Sequence, residues 1–138
     1  MQKAIAGRSG RMEFQAEGAL GSALARVASR SSAGDRIEVD AIDFSQACAL
    51  AGGRPAFVKM DIEGAELEVI ASSRHIIGES PMHLAIDSNH LVEGRLTKDR
   101  LESLFKEIGY SVFSSADSGF LTTWAWSTAM PDPCRTMM

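Results

Sequence analysis

The segment from Phe57 to Ile70, FVKMDIEGAELEVI, constrains the fold more than any other stretch of the chain. Two apolar residues, Phe57 and Val58, lead through Lys59 and Met60 to Asp61 and Glu63, and Gly64 follows at once. Beyond Gly64 the apolar spacing turns helical, with Ala65, Leu67 and Ile70 interleaved with Glu66 and Glu68. A buried strand that ends in acids, turns on a glycine and opens a helix is a βα unit, and the glycine serves the turn sterically. Ligands of open α/β sheets bind outside the carboxyl ends of the strands, so Asp61, Glu63 and Glu66 stand where chemistry is usually done. Asp61 and Glu63, two apart in an extended strand, are expected on one face, with Glu66 one helical turn beyond.

Around this unit strands and helices alternate. Residues 3–6 and 12–16 read as short strands. The stretch 18–32 reads as a loop or short helix, because Leu20, Leu24 and Val27 have helical spacing in serine-rich surroundings. Residues 36–42 alternate Ile37, Val39 and Ala41 against Arg36, Glu38 and Asp40, the pattern of a half-buried strand. Asp43 is placed to cap a short helix over 44–51 that stops at Gly52-Gly53, and Pro55 is placed at the first position of the next strand. The signature helix runs to about Ile77 and stops at Gly78. Residues 83–87 read as another buried strand. Leu101, Leu104, Phe105 and Ile108 lie on one face of a helix that begins near Thr97 or Asp99 and closes at Gly109. Residues 110–114 and 121–127 form an expected hairpin around Asp117-Ser118-Gly119. The pattern is α/β with an antiparallel strand at one edge. Residues 1–130 are read as one unit and 131–138 as a tail.

The string Lys59-x-Asp61-x-Glu63-Gly64-Ala65-Glu66 closely resembles a signature of the FkbM family of S-adenosylmethionine-dependent methyltransferases, where it ends the fourth strand of the sheet. Ile37 to Asp43 resembles that family's short strand before the signature, and Ala4-Ile5-Ala6 with Met12-Glu13-Phe14 its third strand and hairpin. Leu84-Ala85-Ile86-Asp87 sits where the fifth strand ends in an acid, and Gly109-Tyr110 resembles the step into the next strand. The likeness covers about the first 115 residues. It implies a partial Rossmann-like class I methyltransferase sheet, mostly parallel, and methyl transfer from S-adenosylmethionine to a hydroxyl of a small molecule or sugar. The family rests the cofactor on a glycine-rich turn after its first strand and on an acid ending its second. No G-x-G occurs here, and Gly7, Gly10, Gly18 and Gly21 lie in sequence read as non-strand. The chain is therefore expected to match the carboxyl-terminal part of such a domain, with no cofactor-binding residues assigned.

Asp61 is the expected acid nearest the reacting methyl group, with Glu63 as its partner and Glu66 as a third candidate. The plainer alternative is that Glu63, Glu66 and Glu68 complement the positive end of a helix, at roughly 0.3–1 kcal/mol each. Asp87 and His90 flank the end of the next strand, and His90 could act as a base. His75 and His83 read as structural or solvated, and Trp124 and Trp126 as packed against a helix rather than as an aromatic platform. Two rival functions remain: a non-catalytic remnant acting as a binding or interaction module, and a hydrolase holding a divalent metal on Asp61, Glu63 and Glu66. The second lacks phosphate-binding glycines, so no metal is assigned. Cys48 and Cys134 show no metal-site spacing. A net charge of −4 gives no case for nucleic acid or an anionic membrane, and no apolar run approaches the roughly 20 residues of a membrane span. A soluble, cytoplasmic chain is expected. Without a first strand beside it, the strand at 57–61 would leave an open apolar edge that favours self-association.

Overall fold

In the computed structural model the described residues are 3–17, 21–24, 35–117 and 119–129. They form β1 (Ala4–Ile5), β2 (Gly10–Glu17), β3 (Gly21–Leu24), β4 (Asp35–Ile42), α1 (Phe44–Leu50), β5 (Phe57–Met60) and α2 (Glu66–Gly78). After these come β6 (His83–Asp87), β7 (Leu91–Val92), β8 (Arg95–Leu96), α3 (Thr97–Glu107), β9 (Tyr110–Asp117) and β10 (Phe120–Ser127). One four-stranded sheet has the order β1-β4-β2-β3 and a second β5-β6-β10-β9, while β7 and β8 form a small hairpin.

The architecture is mixed α/β, but the expectation of a mostly parallel sheet is corrected. Among the described residues only β1–β4 and β5–β6 are parallel, and the other five pairings are antiparallel. Parallel pairing needs a crossover of about a dozen residues or more, which α2 provides between β5 and β6. Strands joined by tight turns, such as β9 and β10, pair antiparallel instead. The antiparallel strand is also not at the edge: β10 lies between β6 and β9. The two strands of this hairpin differ in burial. Thr123 and Ala125 of β10 are buried, whereas Ser115, Ala116 and Asp117 of β9 are exposed, so β10 takes the inner place.

In the first sheet β2 starts at Gly10 and β3 at Gly21, two glycines read from sequence as non-strand. Residues 21–24, expected in a loop or short helix, pair with Phe14 to Glu17. Backbone ladder bonds to a neighbouring strand outweigh a helical spacing carried by so few side chains. Residues 18–20 and 25–32 of that stretch, Ser118 of the turn and the tail at 131–138 lie outside the described residues. Residues 36–42 form a strand as expected, and Val39 and Ile37 pair with Met12 and Phe14 across the β2–β4 ladder, but the burial alternation holds only in part, since Ile37 is exposed. Arg11 bridges Glu38 at 3.3 Å and Arg36 bridges Glu13 at 3.2 Å on the wet face.

Asp43 caps α1 as expected, its Oδ1 accepting from Gln46 N at 2.9 Å. β5 starts at Phe57, two residues later than the proline that was expected to open it. The main core joins Met60, Val69, Ile70, Ile77, Leu84, Ile86, Leu101, Phe105, Tyr110 and Ala125. It lies between the second sheet and the apolar faces of α2 and α3. Ala6, Met12, Ala41 and Ala65 form a smaller cluster, and Ile62 packs against both. Cys48 is buried and free, the small core residue that was expected.

Alternation corrects one further expectation. Ala125 is in the core, so Trp124 and Trp126 point to the opposite face of the sheet. There they are half-buried, and Trp126 meets Phe113 edge-on at 5.9 Å. No described helix among those lining the core shares that face with them.

Candidate functional site

β5 and β6 run parallel side by side and end together, with Met60 opposite Ile86. Asp61 follows the last residue of β5, and Asp87 is the last residue of β6. The next turn carries His90. One ligating atom from each of Asp61, Asp87 and His90 lies within 4.8 Å of the others. Two neighbouring strand ends and one turn thus bring two carboxylates and an imidazole together at the carboxyl edge of the sheet.

The turn is fixed from both sides. Ser88 N and Ser88 Oγ both donate to Leu121 O, at 2.9 and 3.0 Å. Asn89 N donates to Asp87 Oδ1 at 3.2 Å, and Thr97 N donates to His90 O at 2.9 Å. The β7–β8 hairpin that follows was not expected from sequence. Its turn residues Glu93 and Gly94 have φ of 54° and 76°, and a two-residue hairpin turn with both angles positive favours glycine second. The Glu-Gly pair between Leu91-Val92 and Arg95-Leu96 was its signal.

The three carboxylates singled out in the sequence separate. The strand stops at Met60, so Asp61 and Glu63 do not share a strand face. Glu63 is exposed and left-handed at φ 56°, and Gly64 follows at φ 94°. This double left-handed turn reverses the chain tightly enough to start α2 at Glu66. Asp61 is exposed, with Lys59 Nζ 4.0 Å from its Oδ2. Neither Glu63 nor Glu66 belongs to the close group of ligating atoms. Asp87 and His90 do, and the strand end at Asp87 was their sequence signal.

Glu66 has a different place. It is fully buried, and its Oε1 accepts from Ile62 N at 2.6 Å, locking the turn between β5 and α2. The same oxygen lies 3.8 Å from His90 Nε2. Glu66 Oε2 and His90 Nε2 are both buried without a hydrogen-bond partner among the described residues. Burial pushes the Glu66 carboxyl above the ordinary carboxylate range, opposed by the Ile62 N–H bond and by His90. Glu66 is thus a buried acid behind the group, not a solvated first-turn acid.

Arranged in this way, the group can hold a hydroxyl oxygen and take its proton, or hold a cation. It does not fit the adenosine or methionine end of S-adenosylmethionine, which calls for glycines that admit a close backbone approach. The sequence has no G-x-G, and Gly7, beside the signature helix, is filled in by the Glu68 side chain 2.6 Å from where a Cβ would be. Among the described residues no helix is long and apolar enough to cross a membrane.

Residues 2–112 match the family model described as the methyltransferase FkbM domain. No curated protein and no solved structure matches the chain. The family match takes in β1 through the start of β9, including the signature turn and the whole Asp61, Asp87 and His90 group. The chain belongs to the FkbM methyltransferase family.

Proposed function

We propose that the chain handles the acceptor in S-adenosylmethionine-dependent O-methylation of a small molecule or sugar hydroxyl. The observation that carries this reading is the convergence of Asp61, Asp87 and His90 at adjacent strand ends in a member of a methyltransferase family. A hydroxyl is a poor nucleophile until its proton is withdrawn, and a positioned acid–base group contributes typically about 10²–10⁴-fold. Asp61, exposed at the strand end, meets the incoming hydroxyl. Asp87 and His90 flank it, and Glu66 lies behind the imidazole, its Oε1 3.8 Å from His90 Nε2. Glu63 supports the turn that presents Asp61. Because the sequence has no G-x-G, the reading includes weak binding of the methyl donor by this chain.

The test is transfer of label from methyl-labelled S-adenosylmethionine, at millimolar concentration to offset weak binding, to a panel of sugars and small alcohols. We expect ether-linked product, reduced at least tenfold in Asp61→Asn with donor binding unchanged. No product from the unaltered chain would contradict catalysis and favour the second reading, a non-catalytic binding module.

A further inference from the structure

We propose that Asp61, Asp87 and His90 bind a divalent cation of the manganese type, leaving positions on the solvent side for a hydroxyl oxygen. Oxygen ligands stand about 2.0–2.6 Å from such ions, so the ligands around one ion lie roughly 3–5 Å apart. Spacing within 4.8 Å already meets that condition for all three side chains. Asp87 and His90 are held by the pinned turn, whereas Asp61 is exposed and free to adjust.

Charge points the same way. Two carboxylates, Asp61 and Asp87, meet at one imidazole, with the buried Glu66 carboxyl behind it. Lys59 reaches Asp61 only from solvent, at 4.0 Å, and Asp87 has no lysine or arginine partner among the described residues. Glu66 is fully buried, with Oε2 unpartnered and Oε1 3.8 Å from a His90 nitrogen that also lacks a hydrogen bond. A buried acid next to an incompletely bonded imidazole is costly without a positive charge nearby. A cation on Asp61, Asp87 and His90 supplies that charge beside Glu66, whose Oε1 lies 3.8 Å from His90 Nε2. Two oxygens and one imidazole suit manganese better than magnesium, which favours oxygen alone, or zinc, which favours nitrogen and sulfur.

This set differs from the Asp61, Glu63 and Glu66 cluster considered from sequence. Binding of the cation does not depend on the methyl-transfer reading. That its open positions take the acceptor hydroxyl, lowering the hydroxyl pKa, does rest on that reading.

Titration of the metal-free chain with manganese alone, followed by loss of the free-ion electron paramagnetic resonance signal, tests the site. We expect one equivalent bound at micromolar concentration, weakened at least tenfold in Asp87→Asn and in His90→Ala and unchanged in Glu107→Gln. Thermal melts would confirm that each variant is folded. Should a variant unfold, pulsed spectra of the unaltered chain decide the matter, since bound manganese should show coupling to a histidine nitrogen. Binding only at millimolar concentration, binding undiminished in the folded variants, or absence of nitrogen coupling would each overturn the proposal. No methyl donor is present, so failure here would leave the methyl-transfer reading standing.

Discussion

Asp43 shows how much one side chain can specify. It follows β4 and caps α1, accepting from Gln46 N and also from Ser9 Oγ, each at 2.9 Å. The bond from Gln46 N, then that from Ser9, holds its carboxyl below the ordinary 3.8. Asp43→Ala should destabilise the fold by about 1 kcal/mol at neutral pH, measured by urea unfolding. A lowered folded pKa means that this contribution is present above the unfolded value and fades as pH falls through the folded one. The difference between the two proteins should therefore narrow in acid; a gap independent of pH would show that the charge plays no part. This cap was legible because an acid one residue before an apolar helical run is a local signal. Glu66 was not, since nothing in sequence distinguishes a buried first-turn acid from a solvated one. The bond from Ile62 N and the approach of His90, 24 positions along the chain, separate them in the fold.

At the scale of elements, the βα unit, α1, α3 and the 110–127 hairpin could be read from period and turn residues. Which strand of that hairpin would dock on β6 could not, because hairpin signals fix register within the pair and not its neighbours. The glycine–tyrosine step did mark a real junction. Tyr110, buried at the start of β9, sets its hydroxyl between Ser80 O at 2.5 Å and Ile77 O at 2.8 Å, just past and at the end of α2, with one proton to donate between them. The removal of that hydroxyl in Tyr110→Phe leaves a buried carbonyl with one bond fewer and should cost about 1 kcal/mol. A shift in the urea midpoint with an unchanged slope is expected. An unchanged midpoint would mean that the apolar ring alone holds α2 against β9.

Over the whole molecule, β5 is an edge strand of the second sheet, paired with β6 alone among the described residues, and Phe57 is 54% exposed. The opposite face from the core carries the half-buried Trp124, Trp126 and Phe113. An unpaired apolar edge beside an aromatic face is a template for association. Sedimentation should therefore show concentration-dependent dimers or larger species, reduced by Phe57→Lys; a clean monomer at all concentrations would contradict this. The likeness to a methyltransferase was legible from one octapeptide, whereas the assembly of the site was not. Asp61 and Asp87 are 26 residues apart and meet only because β5 and β6 lie side by side in register. That meeting is the centre of the account, and a double-mutant cycle of Asp61→Asn and Asp87→Asn on the rate of methyl transfer tests it most directly. If the two carboxylates act on one hydroxyl, the double variant should lose little beyond the worse single one, a coupling of about 1 kcal/mol or more. Losses that simply multiply would show that the two acids act separately and that the strand-end group is not one site.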